Sequence, residues 1–343
     1  MSDFKIKNMD DFASVSGISR PTISKYFNDA DSVRKSTRER IEKALERYDY
    51  QPNFYAMNQN RRLTKNVGIV IPYMADPHFA EIARNVENHV IEAGYRPVVL
   101  GSQGNPEQEI ENLNNLRLLK PAGVLLAPIG RMSDARRIAD FCKDVPTVLF
   151  DANIEDVGEA FIGMNNNQSI GLIVEYLCRT GEPPAFFEML TPSNPNALKR
   201  RNAYVNSMER LGHTPHLIQV EGEGWDFEEI GFREGSRVIA DRMLSTDTVL
   251  CSNDRLAIGF LSAAYQHGLR VGLGPSCALR VAGHDDHPFS RYTCPTLTTV
   301  SQDYAAISAR SAETLFTLID TEQRASSREV TLYDGKLVMR GSA

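Results

Sequence analysis

The feature that most constrains this chain is an alternation of short apolar segments with helix-length amphipathic ones, which starts at Val67-Gly68-Ile69-Val70-Ile71-Pro72 and runs almost to the C-terminus. Strands are expected at 67–71, 97–100, 123–127 and 147–150, with helices near 78–93, 106–119 and 133–143. After Ile162 and a helix near 167–179, the rhythm resumes with strands at 185–190, 216–220, 248–251 and 278–282, and helices near 197–211, 227–243 and 254–267. Strands spaced by whole helices are βαβ units, and these build parallel sheets covered on both faces. The stretch 152–166 breaks the rhythm, which favours two smaller doubly wound sheets over one large sheet. A last helix near 303–320 and short strands near 329–332 and 336–339 close this α/β body.

The residues before Val67 follow a different rule. Met9 to Val15 read as a short helix with Phe12 and Ala13 on its inner side, and Gly17 supplies a flexible turn. Ser19 offers an N-cap hydroxyl, Pro21 lies in the first turn, where its missing N–H matters little, and Ile23, Tyr26 and Phe27 form an inward face. Two short helices joined so closely make a helix-turn-helix. Ser36-Thr37-Arg38-Glu39 reads as a capping box with Ser36 as cap, and Ile41, Ala44, Leu45 and Tyr48 repeat at helical spacing behind it. Beyond Pro52, Asn53 suits the cap of a short helix over 54–60.

Charge divides at the same place. Residues 1–66 hold 13 Lys/Arg against 9 Asp/Glu, net +4, and the rest hold 25 against 35, net -10. The basic front is the part suited to a polyanion, and the acidic remainder is a body that DNA repels. In a helix-turn-helix the second helix enters the major groove with its leading residues against base edges. On that geometry Arg20 presents a fork to guanine, Lys25 reaches a base or phosphate, and Pro21 offers apolar contact. Thr22 is exposed beside them, and Ser19, Ser24, Ser36 and Thr37 suit phosphate oxygens, which position without reading sequence.

The phrase Val15-Ser16-Gly17-Ile18-Ser19-Arg20-Pro21-Thr22-Ile23-Ser24-Lys25-Tyr26-Phe27-Asn28 resembles the recognition segment of the LacI/GalR family of bacterial repressors. Ser32 to Ile41 and Tyr50-Gln51-Pro52-Asn53 follow at that family's spacing. Farther on, Ser252-Asn253-Asp254-Arg255-Leu256-Ala257-Ile258-Gly259, Val281-Ala282-Gly283-His284-Asp285-Asp286 and Pro295-Thr296-Leu297-Thr298-Thr299-Val300 resemble its sensor signatures. The resemblance implies a homodimer on a near-palindromic operator in double-stranded DNA, and a periplasmic-binding-protein-like body with a sugar or polyol effector in its cleft. It also implies three crossings between subdomains. The expected layout is a headpiece over 1–51, a hinge helix and linker over 52–66, and an effector and dimerisation domain over 67–343. Within the last, an N-subdomain is expected at about 67–163 and 293–321, and a C-subdomain at about 164–292 and 322–343.

Two departures bear on mechanism. Where the family carries a leucine that wedges into the minor groove, Gln59 stands here, which implies a less kinked operator or a hinge helix set differently on DNA. Arg61 and its neighbours remain available to the backbone there. The arginine that many relatives carry after the cleft aspartate is replaced by Ala152.

Ligands of open α/β sheets sit beyond the carboxyl ends of the strands. Tyr73, Asp76, His78 and Phe79 follow the first strand, Asp151 follows the fourth, Asn194 and Arg200 the next, and Asn253 and Asp285 end later ones. Carboxylates, amides and an arginine for hydroxyls, with Phe79 and Trp225 for an apolar ring face, make the chemistry of a carbohydrate pocket. The family pattern places effector contacts at Phe79, Asp151, Arg200, Trp225, Asn253 and Asp285. Asn253-Asp254 equally suit a helix cap, Trp225 a packing residue, and His284 a hydrogen-bonded histidine.

Other classes fit poorly. No phosphate loop, metalloprotease helix, nucleophile elbow or dinucleotide fingerprint occurs, so neither an enzyme nor a cofactor is expected. The front MSDFKIKNMDDF lacks an apolar signal core and no apolar run is membrane-length, so the expectation is a cytoplasmic protein away from membranes. A secreted sugar-binding protein and a regulator without an effector are the alternatives. Five scattered cysteines lack metal spacing, and no metal site is expected.

Overall fold

The structure, a computed structural model, describes residue 6 and residues 8–28, 30–50, 64–192, 195–321 and 328–343. The chain divides into two compact units, Met1–Thr64 and Lys65–Ala343.

In the first unit, α1 (Met9–Ser16), α2 (Arg20–Asn28) and α3 (Lys35–Tyr48) enclose a small core of Phe12, Ile18, Ile23, Val33, Ile41 and Tyr50. Asn8 caps α1 by accepting from Asp11 N–H, and Gly17 ends it in the left-handed region at φ 65°. The rings of Phe12 and Tyr50 stack at 4.6 Å, and Tyr48 Oη donates to the Val15 carbonyl at 3.2 Å, which ties α3 back to α1. Ser36 is not the cap of α3. The helix starts at Lys35, where Thr37 and Arg38 N–H bond the Arg34 carbonyl, and the Arg34 side chain, which has no acceptor, makes no capping bond.

In the second unit, the first sheet runs β11-β5-β4-β3-β1-β2 and every pairing in it is parallel. Its strands are β1 (Asn66–Ile71), β2 (Arg96–Gly101), β3 (Gly123–Leu126), β4 (Thr147–Phe150), β5 (Ala160–Met164) and β11 (Glu329–Tyr333). The second sheet, β7-β6-β8-β9, is also parallel and consists of β6 (Ala185–Met189), β7 (Leu217–Val220), β8 (Thr248–Cys251) and β9 (Arg280–Ala282). Strands β3, β4, β5, β6 and β8 are buried along their whole length, the pattern of sheets covered on both faces. An antiparallel ribbon of β10 (Thr299–Ser301) and β12 (Lys336–Val338) completes the unit.

Helices cover both sheets: α4 (Pro77–Glu92), α5 (Pro106–Leu118), α6 (Ala135–Asp144) and α11 (Tyr304–Thr321) over the first, and α7 (Asn166–Thr180), α8 (Ala197–Arg210), α9 (Phe227–Ala240) and α10 (Asp254–Gln266) over the second. The interrupted stretch 152–166 contains the genuine strand β5, whose small residues Ala160 and Gly163 blur its pattern. The tail also departs from expectation. Residues 329–333 pair in register with 160–164 at the edge of the first sheet, so the third crossing follows Tyr333 rather than residue 321. Only the last residues return to the second lobe, where Val281 N–H bonds Ser342 O.

Helices α9 and α10 touch through glycines. A Cβ on Gly231 would lie 2.3 Å from the Leu256 carbonyl oxygen, and one on Gly259 2.1 Å from that of Glu228, both rigid backbone atoms. Gly171 in α7 has only Ser207 Oγ nearby, at 3.4 Å. Gly259→Ala is therefore expected to destabilise by about 1–3 kcal/mol or more through overpacking, read from denaturant midpoints. Gly171→Ala should leave the midpoint unchanged or raise it; equal losses in both would show that close helix approach is not what Gly259 provides.

Candidate functional site

Two sites emerge, one in each unit. In the first, Ser19 begins α2 as its cap, with Oγ 2.7 Å from Thr22 Oγ1 and 3.4 Å from Thr22 N. This leaves Ser19, Arg20, Pro21 and Lys25 exposed on one leading face, with Thr22 and Ser24 half-buried beside them and Ser36 exposed at the start of α3. Arg20 Nε meets Asp10 Oδ1 of α1 at 3.1 Å, a largely exposed ion pair. Asn53, Gln59 and Arg61 lie outside the described residues, as does Asn194.

The second site is a cavity of about 390 Å³ at the strand ends between the two sheets, with Phe79, Asn253, Asp285, Gln302 and Tyr304 on its wall. Asp285 follows β9 and is its anchor. Arg200, from the first turn of α8, forks it with Nη2 at 2.6 Å and Nη1 at 3.1 Å, and Gln302 Nε2 donates at 2.7 Å. Burial opposes charge on Asp285, yet the Arg200 guanidinium and the His284 ring hold its carboxyl well below the usual carboxylate range. Burial and the same guanidinium push His284 down to about 4, so it is neutral and donates through Nδ1 to Asp285 at 3.0 Å.

A second line of contacts starts at the Asp285 carbonyl. Tyr304 Oη donates to it at 3.1 Å, so its oxygen accepts from His78 Nδ1 at 3.0 Å, while His78 Nε2 donates to Asp151 Oδ1 at 3.0 Å. Both ring nitrogens of His78 are thus donors, which requires the imidazolium. Burial works against that charge, but the Asp151 carboxylate, with Asp285 and Asp76 behind it, raises the ring to about 9. Asp151 also accepts from Asn196 of the second lobe at 3.2 Å. Elsewhere Asp76, the cap of α4, bonds Arg255 Nη1 at 2.9 Å, and Arg255 in turn forks Glu228 at 2.7 and 2.6 Å.

An aromatic cluster closes the far side. Trp225 stacks on Tyr73 at 5.3 Å and meets Phe79 edge-on at 5.8 Å. Gly104, at φ 69°, makes room for it, since a Cβ there would fall 2.4 Å from the indole nitrogen.

Of the six expected contacts, Phe79, Asn253 and Asp285 line the cavity, whereas Asp151, Arg200 and Trp225 stand behind or beside its wall. All six are buried. Asn253 also caps α10 by accepting from Leu256 N–H at 2.8 Å. His78, Gln302 and Tyr304 were missing from the six; the last two follow β10, a three-residue strand too short to read from its pattern. Among the described residues no group of His, Cys, Asp and Glu is placed to hold a metal, and no helix is long and apolar enough to cross a membrane.

Comparison with known proteins decides what this pair of units is. Residues 8–53 match the model for bacterial regulatory proteins of the lacI family, and residues 177–343 match the periplasmic binding protein-like domain. Over nearly its whole length the chain is similar to transcriptional regulators of the LacI/GalR family. This regulator is 25% identical over 334 residues to the HTH-type transcriptional repressor PurR of Histophilus somni strain 129Pt, covering 97% of each chain. It is 28% identical over 295 residues to the ribose operon repressor of Escherichia coli K12, covering 86% of this chain and 87% of that one. The crystal structure of the Lac repressor bound to ONPG shares the fold, with a TM-score of 0.83 at 24% identity over 99% of this chain and 100% of that one. The chain thus combines a DNA-binding unit with an effector-type body.

The charge on His78 makes the regulator's stability depend on pH. With a folded value near 9 against an ordinary 6.5, the contribution is complete below about 6.5 and disappears as pH rises through about 9. Melting midpoints should fall across that window, and less so in His78→Gln, which keeps hydrogen bonding without the charge. Parallel curves for the two proteins would mean that His78 is neutral.

Proposed function

We propose that this regulator is a homodimeric repressor of genes for sugar or polyol uptake or catabolism. It binds a near-palindromic operator through α2, and a carbohydrate-sized effector in the cleft of Lys65–Ala343 controls it. The reading rests above all on the leading face of α2, where Arg20, Pro21 and Lys25 stand exposed on a net-positive unit. Ser19, Thr22, Ser24 and Ser36 then serve the phosphates, and Asn53, Gln59 and Arg61 the centre of the operator. The cleft supports the second half: it combines buried polar side chains with an aromatic wall, a chemistry suited to hydroxylated rings, and one relative is named a ribose operon repressor. The domain layout proposed with it keeps the headpiece at 1–51 and the hinge and linker at 52–66.

Asp10 belongs in this scheme. By holding Nε of Arg20 it leaves Nη1 and Nη2 as the fork that reads guanine O6 and N7. Selection from randomised duplexes should show base preference at one position of each half-site relaxed by about 1–3 kcal/mol in Arg20→Ala. Equal weakening on every sequence would instead make Arg20 a phosphate contact, and no preferred duplex for the unaltered protein at moderate salt would remove the repressor reading altogether.

A further inference from the structure

The cavity wall holds five carboxylates, and each already has its partner. Asp76 is held by Arg255 at 2.9 Å, Glu81 by Arg84 at 2.7 Å, and Asp285 by Arg200 at 2.6 Å. Asp286 is held by Arg340 at 2.6 Å. Asp254 accepts from the Ser290 and Thr299 hydroxyls at 2.6 Å each and from His287 N–H at 2.8 Å. The acceptors that a neutral sugar's hydroxyls would need are therefore largely consumed.

The groups left over on the same wall are donors. His287 is only 5% exposed, and its Nε2 is buried without a hydrogen-bond partner. Its Nδ1 accepts from Phe289 N–H at 3.1 Å, which places the ring proton on Nε2, and burial holds the ring below its ordinary value and so neutral. A buried N–H with nothing to bond to carries a penalty that a ligand acceptor removes. Asn253 is fixed the same way: its Oδ1 is occupied by Leu256 N–H, so its Nδ2 is the end left to donate. Arg291, exposed at the mouth, has no ion-pair or hydrogen-bond partner among the described residues.

We propose that the effector is a carbohydrate-sized oxyanion, its carboxylate or phosphate held by His287 Nε2, Asn253 Nδ2 and the Arg291 guanidinium. This rests on the carbohydrate reading above and narrows it. Charged acceptors strengthen each of these bonds, and Arg291 supplies the one unpaired cation on the wall among the described residues.

Trp225 is the only tryptophan and lies beside the cavity through Phe79, so its emission reports occupancy in the full-length protein. The probes are aldoses, the aldonic and uronic acids derived from them, their phosphate esters, and inorganic phosphate. At least one sugar anion should shift the emission with half-saturation at least about tenfold below that of its neutral parent. The acid and ester arms separate carboxylate from phosphate. His287→Leu and Arg291→Met should each lose that preference, while His287→Gln, whose amide nitrogen replaces Nε2, should recover most of it. Neutral sugars that saturate while their anions do not would overturn the inference and leave the carbohydrate reading standing. Inorganic phosphate acting as well as any sugar anion would also overturn it, by marking a simple anion site. If no carbohydrate of either kind changes the emission or operator binding, the carbohydrate reading itself fails, and this inference with it.

Discussion

The buried pair of Arg200 and Asp285 is the contact on which the cleft depends. A carboxylate and a guanidinium taken out of water each lose several kcal/mol of hydration, which their attraction restores only when the remaining lone pairs and N–H groups are used. Here they are. Arg200 spends its other donors on the Ser252 carbonyl at 2.8 Å and Asn166 Oδ1 at 3.3 Å, and Asp285 receives Gln302 and His284 as well. The pair thereby joins the starts of α7 and α8, the ends of β8 and β9, and the crossing segment after β10.

From that anchor the polar network reaches the first lobe without a gap. The Asp285 carbonyl, the Tyr304 hydroxyl, the His78 imidazolium, the Asp151 carboxylate and the Asn196 amide form one continuous chain of hydrogen bonds, which begins and ends in the second lobe. Its polarity is fixed throughout: Tyr304 must donate to a carbonyl, so His78 must donate to Tyr304, and a ring that donates at both nitrogens is charged. The sequence-distant residues 78, 151, 196, 285 and 304 are thus bound by one electrostatic argument. The Asp76–Arg255–Glu228 group also spans the lobes, at the other side of the cavity, with its guanidinium on the second lobe and the Asp76 carboxylate on the first.

Much of this was legible in the chain because the signals are local and strong. Parallel strands buried on both faces need unbroken apolar runs, and those at Val67, Gly123, Thr147, Ala185 and Thr248 announce themselves, as do the strand-end positions of Asp151, Asn253 and Asp285. What stayed hidden depends on partners distant in sequence. Strand β11 alternates half-buried and exposed residues at a sheet edge, so its place is set by pairing with β5 and not by its own hydrophobicity. Strand β10 is three residues long, and without it Gln302 and Tyr304 do not read as strand-end residues. At α3 the capping box is present in the letters, but the helix starts two residues earlier and leaves Ser36 inside its first turn. Asp10 gave no signal at all, since its contact with Arg20 exists only once α1 and α2 are packed.

The two cleft aspartates share one further property. Asp151 and Asp285 both end parallel strands and both hold positive φ, 60° and 116°, conformations that a side chain rarely adopts and that carry of order 1–3 kcal/mol each. Such backbone persists only where its surroundings over-determine it, and each of these carboxylates has at least two bonded partners. Strain and network therefore balance at the same two residues, one in each lobe. A ligand that takes even one donor from either carboxylate alters that balance in one lobe relative to the other, and its free energy of binding then differs between lobe arrangements. An occupant without that difference, however tightly held, shifts no equilibrium between lobe arrangements.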